Sequence, residues 1–184
     1  MQQRSTCLLG RIRILLLAST IVIPGLTANR AVEAQSTAKG TSATSAYEQG
    51  VAAINAGDFA KAQSELERAV NATPTNADAQ LALGRVLLHQ GKVAGAVSHF
   101  QAAIKLKPNS SQAHLGLGQA LAANQQNQQA IAEFRKASEL SPKDPEPHRA
   151  LARVLSAEGK NNEALMEAQA AVSLAPQSAA AHDE

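Results

Sequence analysis

Four prolines, Pro74, Pro108, Pro142 and Pro176, follow one another at a constant interval of 34 residues. A fixed period of this length marks one supersecondary unit copied along the chain. Each copy buries its apolar side only against a neighbour. Such a chain folds into a stack, and a stack offers an extended surface rather than one central pocket. The search for function is thereby directed toward a binding face.

The composition says what the unit is made of. Hydrophobic residues make up 45% of the 184 positions and aromatics only 2%, with no Trp, one Tyr and three Phe. The apolar content is mainly Ala, Leu and Val, small or aliphatic side chains suited to close helix–helix contact. Ala, Leu, Gln, Glu and Lys are strong helix formers, and no segment alternates with period two over a strand's length. These features predict an all-α fold.

The first 34 residues read as a secretory signal. Arg4, Arg11 and Arg13 form a basic start, and Ile14–Ile23 is an uncharged apolar run broken by Pro24-Gly25. Two small-residue cleavage candidates follow, ending at Ala28 and Ala34, of which the second is preferred. The apolar stretch from Ile14 to Ala28 is 15 residues, short of the ~20 that span a bilayer; an uncleaved anchor is the alternative. Both readings place the repeats outside the cytoplasm, periplasmic or secreted. Cys7, the one cysteine, precedes the apolar run and would leave with the signal, so disulfides and Cys-ligated zinc are not expected. Residues 35–42 are small and polar and read as a flexible tether.

The signal also carries the charge. The chain's net +2 includes four Arg and one Glu before residue 35; the remaining 13 basic and 14 acidic side chains nearly cancel. A nearly neutral repeat region gives no electrostatic case for nucleic acid, whose binding depends on neutralising phosphates.

Counted from Ala43, Ala77, Ser111 and Pro145, the units span 43–76, 77–110, 111–144 and 145–178, with a tail at 179–184. The eighth place holds Gly50, Gly84, Gly118 and Ala152; the twentieth holds Ala62, Ala96, Ala130 and Ala164. Small residues there let the two helices of a unit approach closely. Leu83, Leu117 and Leu151 fill the first helix, and Leu66, Phe100 and Phe134 the second. Gly57, Gly91 and Gly159 supply the turn between the helices, whereas the third unit has Gln125. The proline ends the second helix, because the residue before it is pushed out of the α region.

The pattern Leu83-Gly84, Leu87, Ala96, Phe100, Ala103 and Pro108, with its period, resembles the tetratricopeptide repeat (TPR). The resemblance covers residues 43–178 and departs locally. No unit has the family's early Trp; Ala46, His114 and His148 stand there in the first, third and fourth units. Ala168 replaces the phenylalanine of the earlier second helices, so the last helix is expected to pack less well.

What the resemblance implies is a TPR solenoid, a right-handed superhelix of four helix-turn-helix repeats. First helices would line a concave groove that receives an extended peptide or a helix from a partner protein. Groove-facing places are Tyr47, Val51, Ile54, Asn55, Leu81, Arg85, Leu88 and His89, then Leu115, Gln119, Arg149 and Arg153. An apolar strip flanked by three arginines suits a peptide with hydrophobic anchors and a carboxylate or two. The plainer alternative is that these arginines are solvated and paired locally. Some TPR domains clamp a terminal carboxylate with Lys and Asn; Tyr47 and Val51 occupy the first two such places, so that specialised activity is not expected.

Nothing in the chain assembles a catalytic site. Gly116-Leu117-Gly118 is a lone G-x-G inside a helix with no preceding strand, and no serine has a nucleophile-elbow context. His114 and His148 share one repeat place, but no Asp or Glu follows either at i+4 to complete a helical metal pair. No enzyme activity, cofactor or metal is expected. Leu165, Val172 and Leu174 hold places that meet the following unit in earlier repeats, so the last face is expected to be either a self-association contact or the scar of a truncated gene. The expected role is an exported adaptor or assembly scaffold. The alternatives are a membrane-tethered assembly factor and the truncated recruiting domain of a larger enzyme.

Overall fold

The computed structural model describes residues 42–174. The expected signal, nearly all of the tether, Pro176 and the tail lie outside the described residues. Ser42, assigned above to the tether, already belongs to the first helix.

Eight helices and no strand occur among the described residues. Helix α1 covers residues 42–55. It is followed by α2 (Phe59–Ala72), α3 (Ala77–His89), α4 (Val93–Leu106), α5 (Ser111–Ala123), α6 (Asn127–Leu140), α7 (Pro145–Ala157) and α8 (Asn161–Leu174). The expected helix pairs are therefore present, four of them.

Each boundary has a local cause. Asp58, Asn76, Ser110 and Asp144 cap helix starts, their side chains accepting from backbone amides two or three residues on. Thr73, Lys107 and Ser141 precede the periodic prolines and take φ −137°, −132° and −136°, ending α2, α4 and α6. Between the helices of a pair the chain turns through a left-handed residue: Gly57, Gly91 and Gly159 at φ 75°, 73° and 74°, and Gln125 at φ 60°. Gln125 thus holds the glycine's conformation at a steric cost that the glycines avoid.

The core is a row of aromatic and aliphatic side chains on the second helices pressed against small residues on the first. Phe100 and Phe134 are both fully buried, each worth about 1.5–3 kcal/mol in apolar transfer. A β-carbon added to Gly84 would stand 2.9 Å from Phe100 Cε1, and one on Gly116 only 2.4 Å from the same atom. Phe100 therefore lies between its own first helix and the first helix of the next repeat. Gly118 stands against Phe134 in the same way, 2.5 Å from an added β-carbon. The G-x-G of α5 is thus a pair of contacts for two different rings.

Stacking sets which helices line the inner face. Helix α3 touches α5, and α5 touches α7. Among the described residues, α4 does not touch α6, nor α6 touch α8. First helices lie close together while second helices diverge, so the face lined by first helices is the concave one.

The terminal repeat departs as expected. Only Ala164 and Ala171 are buried on α8, while Leu165, Met166 and Val172 are 59%, 70% and 71% exposed.

Because Phe100 has no room to retreat, Gly84→Leu and Gly116→Ala should each lower unfolding stability by about 1–3 kcal/mol. An open helical site would instead gain about 0.5–1 kcal/mol from glycine to alanine. The sign of the change in urea midpoint for Gly116→Ala therefore distinguishes a ring contact from free space.

Candidate interaction groove

The concave face opens into clefts between successive first helices. One, of about 430 Å³, is lined by Ile54, Phe59, Arg85, Val86, Leu88, His89 and Gln119. It brings together five of the expected groove residues from α1, α3 and α5. A second, of about 200 Å³, is lined by Arg85, Gln112, Leu115, Gly116, Gln119 and Asp144. Arg85 and Gln119 belong to both, so they form the ridge between them. A third cleft runs beside Leu81 and Gln112 to the loop at Pro108.

Other expected residues fall elsewhere. Tyr47 and Val51 are half-buried and Asn55 is exposed, and none of them lines these clefts. Arg149 is paired with Glu146 one turn earlier on α7, the local pairing set out above as the alternative. Arg153 borders a depression with Ala164, Leu165 and Ala168 on the terminal repeat. None of these clefts is lined by all three arginines.

Phe59, Val86, Gln112 and Asp144 also line the clefts without having been anticipated. Phe59 opens a second helix, a place held by Val93, Asn127 and Asn161 in later repeats. Its ring stacks on His89, centroids 3.7 Å apart and planes 18° from parallel. The one available signal was composition: a chain with three Phe has one at a helix start, beside a capping Asp58.

The histidines at the repeat's former tryptophan place form cross-helix pairs. His114 is 8% exposed, with Nδ1 2.6 Å from Glu133 Oε2 and Nε2 3.0 Å from the Pro108 carbonyl. His148 Nδ1 stands 2.7 Å from Glu167 Oε2. In the second repeat Gln80 takes the same place. Its amide donates to the Pro74 carbonyl at 3.2 Å, and its Oε1 lies 2.6 Å from His99 Nδ1. Each pair joins a first helix to its second helix across 19 residues, a separation far beyond the i+4 spacing of one helix face. No group of three metal-ligating side chains occurs among the described residues.

Burial holds the His99 imidazole below its ordinary value, with the Glu67 charge partly offsetting it. A neutral ring with its proton on Nδ1 suits the geometry, since Gln80 Oε1 accepts. At the outer edge, hydrogen bonds from Asn127 and Gln128 hold the Glu158 carboxyl below its ordinary range and tie α6 to the end of α7.

Two family models, both described as tetratricopeptide repeat, match residues 47–111 and 87–154. No protein of curated function matches the chain. Among solved structures, a crystal structure of MamA is similar at a TM-score of 0.71 and 20% identity, covering 82% of this chain and 88% of that one. YrrB, described as a TPR protein with an unusual peptide-binding site, is similar at 0.67 and 20% identity over 84% and 83%. TTC0263, a thermophilic TPR protein in Thermus thermophilus, is similar at 0.65 and 20% identity, covering 72% of this chain and 74% of its own. These likenesses establish the fold.

Since the folded state disfavours protonated His99, its contribution to stability is full above the unfolded value of about 6.5 and is lost as pH falls through the lower folded one. The difference in urea midpoint between the wild type and His99→Gln should therefore narrow on acidification from pH 7 to pH 5. A difference that is constant across that range counts against burial as the cause.

Proposed function

The chain belongs to the tetratricopeptide-repeat family, and on that premise we propose that it is an exported protein-interaction module, an adaptor or assembly scaffold. It holds an extended peptide or a helix of a partner protein against its first helices. The observation that carries the reading is the cleft lined by Ile54, Leu88 and the Phe59–His89 stack, with Arg85 on its rim. An apolar recess with a few polar groups at its edge is what a protein offers to an anchoring side chain. YrrB, similar in fold, is described as having an unusual peptide-binding site, which supports peptide binding as a use of this fold. Export is supported by the basic start, apolar run and small-residue cleavage pattern of residues 1–34.

A second reading concerns the last face. In α6, Ile131 is 4% exposed, whereas Leu165 at the same repeat place in α8 is 59% exposed. The opposite end of the stack is polar. Ser45, Gln49 and Ala52 are exposed in α1 at places where Ala79, Leu83 and Val86 are buried in α3. Gln49 and Ser45 there are hydrogen-bonded to each other. A polar first face does not complement an apolar last face, so head-to-tail stacking is disfavoured. Self-association therefore pairs the Leu165, Val172 and half-buried Leu174 surfaces about a two-fold axis.

Peptides selected from a random library on the whole protein should cross-link to a photoreactive group placed at Gln119 and not to one at exposed Lys136 on α6. The reverse pattern, or a library that yields no binder, overturns the groove reading. Protein purified from its native host should begin at Gln35; a retained leader supports the membrane-tethered alternative. The same protein should sediment as a dimer at high micromolar concentration and as a monomer with Val172→Asp. A strict monomer in the wild type removes the second reading.

A further inference from the structure

Arg85 stands on the ridge between two clefts, and its guanidinium is unengaged. Arg68, Arg135 and Arg149 each pair with a glutamate. Arg85 makes no hydrogen bond or ion pair among the described residues. The recess on one side of it, between Ile54, Leu88 and the Phe59–His89 stack, has no acidic side chain in its lining. On the other side the carboxylate of Asp144 is engaged, accepting from the Glu146 amide as the cap of α7. Arg85 is therefore an unpaired cation beside an apolar wall, and the one Lys, Arg, Asp or Glu side chain in the lining of that recess. Guanidinium suits that role: it is weakly hydrated, and its planar fork takes a carboxylate through two parallel hydrogen bonds.

We propose that the groove between the first and third repeats selects an extended peptide with a bulky apolar side chain and, two residues along, an Asp or Glu. The proposal rests on the groove reading above and names its ligand chemistry. The apolar side chain fills the recess of about 430 Å³, a volume ample for any natural side chain. In an extended segment residues i and i+2 face the same side, which brings the carboxylate to the ridge at Arg85. The chain then continues over Leu115 and Gln119.

The test is a peptide array with acetylated and amidated ends, so that only side chains supply carboxylate. Position i varies among Ala, Leu, Phe and Trp, and position i+2 among Asp, Glu, Asn and Lys; the probe is the whole labelled protein. Peptides with Leu, Phe or Trp at i and Asp or Glu at i+2 should bind about tenfold more tightly than their Asn partners. Arg85→Gln, confirmed to melt with the wild type, should erase that difference while leaving the preference at position i. Equal binding of Asp and Asn peptides, an acid preference that survives Arg85→Gln, or a blank array overturns the proposal. So does binding restored only by a free C-terminal carboxylate. Library-selected peptides that cross-link at Gln119 despite any of these results leave the groove reading standing and remove only the acidic motif.

Discussion

The contact of Phe100 with two glycines is the constraint on which the rest of the stack depends. The ring belongs to α4 yet lies against Gly84 of its own repeat and Gly116 of the next. Both first helices must come within van der Waals distance of one ring, and only residues without a β-carbon permit it. That single buried side chain therefore holds a helix pair together and sets the distance to the following pair. Phe134 repeats the contact within its own repeat, against Gly118, whereas Ala150 stands where the next repeat would present the second glycine. With Ala168 at that place in α8, there is no ring to seat, and the last helix keeps its apolar side chains in solvent.

Close packing of the first helices has a direct functional consequence. Since α3, α5 and α7 crowd together while the second helices diverge, the inner face is built from residues on the outer turns of the first helices. These are long side chains, Arg85, Leu88 and Gln119, beside the apolar Ile54, Phe59 and Val86. The cross-helix pairs join each first helix to its second. Gln80–His99, His114–Glu133 and His148–Glu167 satisfy polar groups where an aromatic would otherwise pack. They link the loop of the preceding proline to both helices at Gln80 and at His114, so each of these helix pairs is tied by hydrogen bonds as well as by apolar contact.

Much of this was legible in the residues. The 34-residue period placed every helix pair, because helix ends are set locally by caps, prolines and turn residues. Gln125 was recognisable as the left-handed turn residue from its register alone. The groove was legible less fully. Ile54, Arg85, Leu88, His89 and Gln119 meet as the helical period suggests, but Phe59 reaches the same cleft from the start of a second helix. Glu133 and Glu167 were invisible as partners of the histidines, since a separation of 19 residues becomes a contact only when two helices fold against each other.

By itself the sequence determined the repeating unit, its register, its helical nature and the identity of the small residues at close contacts. Those are properties of one unit and its immediate chain neighbours, and local sterics decide them. The tertiary structure alone decided which of three arginines is available. Arg149 is engaged by a glutamate one turn away and Arg153 lies at the terminal face, while Arg85 stands free between two clefts. Periodicity assigns equivalent places in each repeat, but electrostatic surroundings are not periodic. They depend on which side chains of neighbouring helices come within reach, and only the folded stack sets that distance.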